Sequence, residues 1–246
     1  MPAFKTTTIA AVLLAFAAAF FLRPAQPTVM SIVPPTDRYA QMQYMMRNTH
    51  ELYKTAYKQI LPHLDNPPLD DLFNFLFYVR AWASSIVGHH DSEEAVLFPF
   101  LNTKLDFSHE MEQHVPIAAG LDAIIKFIDV SQGLPERFDA KKFKQLVVGL
   151  GDALFEHMDE EVEDLAPEKL KVFTEEELKH AGEVLMVWIR AHSDKYVTLP
   201  FMRCHTPPEL KEVWPPFPWI LKRVVIPWFL APKHAEAWKY APYEMV

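Results

Sequence analysis

Leu72 to Leu97 reads LFNFLFYVRAWASSIVGHHDSEEAVL. Leu72, Leu76, Val79, Ala83 and Ile86 recur at the three-and-four spacing of a bundle helix, and His90, Glu93 and Leu97 continue the register. A neighbouring stripe runs Phe75, Val79, Trp82, Ile86, His89, Glu93 and Val96. Glu93 belongs to both stripes and faces inward on either reading; periodicity leaves His89 and His90 as alternatives. An imidazole and a carboxylate four residues apart lie one above the other on a helix face. Such a pair can grip one metal ion or bridge two. Without thiolates it suits iron, zinc or manganese better than copper(I) or an iron–sulfur cluster.

The surrounding chain supplies partners for that turn. Asp37 to about His63 reads as one helix, Leu69 to about Asn102 as the second, Ser108 to about Val130 as the third and Asp139 to Leu165 as the fourth. Breaks fall at Pro62, Asn66-Pro67-Pro68, Gly133-Leu134-Pro135 and Pro167. Thr174 followed by Glu177 is a capping box for a fifth helix ending near His192. The inward stripes read Tyr39, Gln43, Met46, His50, Tyr53, Tyr57 on the first helix and Met111, His114, Ala118, Leu121, Ile125, Ile128 on the third. On the fourth, Phe143, Leu150, Leu154, His157 and Glu161 share a face, giving a second His-x-x-x-Glu pair. Short connections between long amphipathic helices predict an all-α bundle. A buried carboxylate needs a partner, and inward ligand-type residues on four helices make a metal ion that partner.

Composition narrows the rest. The formal net charge of −8 and the lack of a basic run exclude a phosphate-tracking nucleic-acid binder. Cys204 is the only cysteine, so neither an internal disulfide nor a thiolate-rich metal site can form. Ile9 to Leu22 is an unbroken run of 14 apolar residues after Lys5 and before Arg23-Pro24. That length matches the apolar core of a signal peptide better than a span of about 20 residues. An uncleaved membrane anchor or a mitochondrial presequence are the alternatives. The expected organisation is a signal or anchor with a Pro-rich linker over residues 1–35, a bundle over 36–168, and a further helix with a Pro- and Trp-rich tail over 169–246. The tail between Trp214 and Trp238 is strongly apolar and carries Lys222-Arg223. It is expected to pack on the bundle; interfacial membrane contact, with residues 6–22 as a second anchor, is the competing reading.

Together these motifs resemble the hemerythrin-like, or HHE cation-binding, family. His89-His90-Asp91-Ser92-Glu93-Glu94 with Leu97-Phe98-Pro99 is similar to its second-helix motif, and His157 with Glu161 to its fourth. His50 stands at the first-helix position, and Gln113-His114 leading to Gly120-Leu121-Asp122 resembles the third. The resemblance implies an up-and-down four-helix bundle around a non-haem di-iron centre, with His50, His89, Glu93, His114, His157 and Glu161 as ligands and His90 and Glu94 outside the ligand set. Manganese and zinc remain compatible with these donors. The departure lies in the third helix, where the family carries His-x-x-x-His and this chain has Ala118. Pro116 should also kink that helix. One iron is then short of a protein ligand unless water, His109 or Glu110 fills the gap; a weakly held or empty second site and a single-metal site are the alternatives. The expected function is binding of dioxygen, nitric oxide or iron for sensing, storage or protection. The alternatives are a peroxide- or nitric-oxide-processing oxidoreductase and a metal-depleted, membrane-associated interaction protein.

Overall fold

Proline and short polar side chains set where each helix of this chain begins and ends. The computed structural model describes residues Val33–Val246; the 14-residue apolar run lies outside them. The Asp37 carboxylate accepts the Tyr39 amide at the start of α1 (Arg38–Ile60), which stops before Pro62. The helix α2 (Leu72–Ser92) passes into a π-helical turn, Glu93–Leu97, and then into α3 (Phe98–Leu101). Pro99 has no N–H and its ring would clash with the carbonyl four residues back, so a wider turn just before it relieves the clash. The helix α4 (Ser108–Gly133) runs unbroken through Pro116, whose side chain is exposed. Asp139 caps α5 (Ala140–Asp164) through the Lys142 amide at 3.0 Å. The short α6 (Pro167–Leu170) leads to α7 (Glu175–His192), which opens with the expected Thr174–Glu177 capping box. Beyond it lie α8 (Lys195–His205), a π-helical stretch Leu221–Leu230, and α9 (Ala235–Trp238). Among the described residues there is no strand, and no helix is long and apolar enough to cross a membrane.

α1 packs on α2 and α5, and α4 packs on the same two, which closes a ring of four helices. Where α1 packs on α5, Gly151 leaves room for the Tyr57 ring; a Cβ there would lie 2.5 Å from its hydroxyl. The interior holds two separate apolar clusters. One gathers Tyr53, Ile60, Phe75, Ile86, Ile117, Ile128, Phe143 and Leu154. The other gathers Met46, Leu97, Phe98, Leu101, Phe107, Val162 and Leu165. Each long helix with its flanking turn crosses from one cluster to the other: α1 between Met46 and Tyr53, α2 and its π-turn between Ile86 and Leu97, Phe107 and α4 between Phe107 and Ile117, α5 between Leu154 and Val162. The layer between the clusters is polar, and all the histidines of the predicted site lie in it.

The tail divides its apolar residues between two environments. Ala231, Ala237 and Trp238 join the first cluster, and Trp214, Ile226 and Leu230 are buried. Trp219, Ile220, Trp228 and Phe229 are instead exposed. Register in α4 also departs from expectation. Its buried face is His114, Ile117, Leu121, Ile124 and Ile128, while Met111 and Ala118 are exposed and Ile125 is half-buried. Both stripes share His114, Leu121 and Ile128; the choice between Ile117 and Ala118 is settled by the larger apolar side chain taking the core.

Candidate metal centre

Seven side chains converge in the polar layer as two groups, His50, His89, Glu93 and Glu161 in one and His90, His114 and His157 in the other. Within each group the donor atoms all lie within 4.8 Å of one another. In α2 the residues His89, His90 and Glu93 fan over roughly 100° of arc, by the 3.6-residue period, with Glu93 between the two imidazoles. Both histidines therefore face the interior, each toward a different group. The Glu93 amide is shared between the His89 and His90 carbonyls as the helix widens into the π-turn. Such single π-turns within α-helices often mark functional sites.

The distances suit donors gathered on one ion as well as they suit hydrogen bonds. His50 Nε2 lies 3.0 Å from His89 Nε2 and 3.2 Å from Glu161 Oε2; His89 Nε2 lies 3.1 Å from Glu93 Oε1. His114 Nε2 lies 3.0 Å from His157 Nε2. Two ligands at about 2.1 Å from one metal ion stand about 3.0–3.4 Å apart for bond angles between right and tetrahedral. Glu93 reaches both groups, since its other oxygen is 3.9 Å from His114 Nε2.

Outer partners fix the tautomers. His50 donates Nδ1–H to the Met158 carbonyl at 2.8 Å, His114 to Glu94 Oε1 at 3.0 Å, and His157 to Gln113 Oε1 at 3.0 Å. Gln113 is held in turn by its Nε2–H donated to Glu160 Oε2 at 2.6 Å. A neutral imidazole that donates from Nδ1 keeps its lone pair on Nε2. The lone pairs of His114 and His157 therefore face each other across 3.0 Å, a repulsive arrangement that a cation between them turns into an attractive one. Metal-ligating histidines are oriented by outer hydrogen bonds of this kind.

Burial holds His89, His90, His114 and His157 neutral. His157 is pushed down to about 3, and His89, His90 and His114 are lowered as well, first by desolvation. Desolvation, with the Glu161 charge adding to it, pushes Glu93 well above the usual carboxylate range. Both nitrogens of His90 and both oxygens of Glu93 and of Glu161 are buried without a hydrogen-bond partner. Leaving buried polar groups unmatched costs about 1–3 kcal/mol each, more for charges. Six such atoms in one layer fit a cation-holding site.

The structure thus brings together all six residues expected as ligands and adds His90. The sequence reading left His90 outside the ligand set. It is 4% exposed and stacks on His114 at 4.0 Å. Glu94 stays outside both groups as the Nδ1 partner of His114. His109 is exposed and lies 3.5 Å from Glu160, away from both groups. Glu110 is buried but belongs to neither group. Gln113 escaped notice as an orienting group; its place one residue before His114 was the available signal. Cys204 and His205 are buried apart from the centre, with His205 paired to the Tyr78 hydroxyl.

The model of the hemerythrin HHE cation-binding domain matches residues 41–168. The chain is similar to "Dimeric xanthone biosynthesis cluster protein R11" of Cryptosporiopsis sp. (strain 8999), 26% identical over 217 residues, covering 81% of this chain and 78% of that relative. No solved structure matches the chain. A match across half of the chain, laid over four helices that deliver histidine and glutamate to one buried layer, places this chain in the hemerythrin HHE cation-binding domain family.

Proposed function

We propose that this protein holds two iron ions in an up-and-down four-helix bundle and binds a small diatomic ligand, dioxygen or nitric oxide, or iron itself, for sensing, storage or protection. His50 and His89 would hold one ion and His90, His114 and His157 the other, with Glu93 and Glu161 shared between them. The observation that carries this reading is the pair of donor groups linked by Glu93, whose two oxygens reach His89 and His114. The alternating passage of α1, α2, α4 and α5 between the two apolar clusters supports the up-and-down arrangement. With His90 counted, the centre has five imidazoles and two carboxylates, and the loss at Ala118 no longer leaves one ion short. Bound iron would supply Lewis acidity and a one-electron couple. The protein's own residues would exclude water, fix the imidazole tautomers and stabilise the ions' charge.

The test is metal content after expression in iron-replete cells, followed by anaerobic reconstitution with ferrous iron and exposure to dioxygen. About two irons per chain with a reversible spectral change supports binding; absence of bound iron overturns the proposal. A second reading, a non-haem iron oxidoreductase, is favoured by the relative named for a biosynthesis cluster. Irreversible oxidation with peroxide turnover in the same experiment would select it. Retention at a membrane, or entry to the secretory pathway, is supported by the apolar run Ile9–Leu22 and by exposed Trp219, Ile220, Trp228 and Phe229; mitochondrial import is the alternative.

A further inference from the structure

A surface cleft beside the metal-binding layer is lined by His109, Asp159, Glu160, Glu163 and Asp164. Several of these groups already have partners. Asp159 pairs with Lys54, Asp164 with Lys169, and Glu160 with Gln113 and His109. An acidic surface of this kind is common. What sets this one apart is Glu110 behind it, 1% exposed and with Oε1 buried and unpartnered. Glu110 stands one helical turn before His114 on α4, and Asp164 stands three residues after Glu161 on α5, so the two helices carry parallel short ladders. His109 and Gln113, on either side of Glu110 along α4, both reach Glu160 at the cleft, which sets the buried Glu110 carboxyl beside it. Carboxylates thus run from solvent at Glu163 and Asp164, through Glu110, to Glu161 in the metal-binding layer.

The most exposed donor of the layer is His89, at 11% of its side chain. His50, Glu93, His114, His157 and Glu161 are each no more than 1% exposed, and an apolar cluster lies on each side. A divalent cation crossing apolar side chains would lose its hydration with nothing in exchange. Along the carboxylates, hard oxygen donors replace water one at a time.

We propose that the Asp159–Asp164 cleft is a divalent-cation entry site and that Glu110 passes the cation from it to Glu161. This rests on the reading of the buried layer as a metal centre. The test uses the full chain stripped of metal and mixed rapidly with Co²⁺. Visible absorbance follows entry into the imidazole–carboxylate layer, and elemental analysis gives the final stoichiometry. Glu110→Gln should load about tenfold or more slowly, the scale on which focused charge alters association rates, and should reach the wild-type spectrum and stoichiometry. Glu163→Gln combined with Asp164→Asn, both on the surface of the cleft, should raise the Co²⁺ concentration giving half-maximal rate. Asp122→Asn, on an exposed face of α4, should change nothing. Wild-type rates in Glu110→Gln and in the double variant overturn the entry route while leaving the metal centre intact. An altered final spectrum in Glu110→Gln also overturns it, making Glu110 a ligand instead. A wild-type chain that takes up no Co²⁺ overturns the metal centre and the route with it.

Discussion

His90→Leu should change metal content and metal-free stability in opposite directions. His90 Nδ1 and Nε2 are buried and unpartnered. Without metal, each such group costs about 1–3 kcal/mol. Leucine removes both, is close in volume, and gives up only the stack on His114, about 1 kcal/mol. The metal-free variant should therefore be more stable by about 1–5 kcal/mol, or about 2–4 °C in Tm for each kcal/mol in a chain of this size. The metal-loaded variant should lose one ion of two, because the second group is left with His114 and His157 plus the shared carboxylates. Elemental analysis and thermal unfolding, with and without a chelator, read both effects. Unchanged metal content, or a metal-free variant less stable than wild type, would mean that His90 is an ordinary core histidine and would refute the reasoning.

Three further outcomes follow from the same geometry. Ala118→His should leave metal content at its wild-type level because Ala118 is exposed; a gain of metal would show that α4 turns a different face inward. Gln113→Leu removes the acceptor of the His157 Nδ1–H and should weaken one ion by about 10–100-fold, read by competition with a chromophoric chelator; equal loss of both ions would count against two separable groups. His157 is held at about 3 by burial, whereas an unfolded histidine titrates near 6.5. The unfolded chain therefore takes up a proton that the folded one refuses, so this group's stabilisation is complete above pH 6.5 and lost as pH falls toward 3. The metal-free wild type should lose stability relative to His157→Leu across that window, by up to about 1.4 kcal/mol per pH unit; a pH-independent difference would contradict it.

Much of the centre was legible because helical period and ligand chemistry point the same way. His50, His157 and Glu161 lie on continuous apolar stripes, and burial follows from the stripe. Glu93 was secure because it closes two stripes at once. His90 was not, because periodicity leaves His89 and His90 as alternatives and the family resemblance selects His89, whereas a helix facing two neighbours can turn adjacent residues inward. The α4 register was obscured by Ile117 and Ala118, both apolar and one residue apart; side-chain size decided between them. The π-turn at Glu93–Leu97 has only Pro99 as a sequence signal, and a proline there also fits a plain helix start. The cleft at Asp159–Asp164 reads as an ordinary solvated face of α5. Its relation to Glu110 exists only once α4 and α5 are packed together.

The polar layer between the two apolar clusters also bears on how long the chain survives in a cell. Its unmatched nitrogens and carboxylates work against the metal-free fold, and ions that bind only the folded chain stabilise it by mass action. A difference of about 1–2 kcal/mol is enough to change the abundance of a protein several-fold through chaperone and protease triage. Chains made when metal is scarce would open across this layer and be degraded first. Turnover of the protein would then follow metal supply without any dedicated regulator, and the ratio of its half-lives in replete and starved cells would measure how strongly the ions hold the two halves of the bundle together.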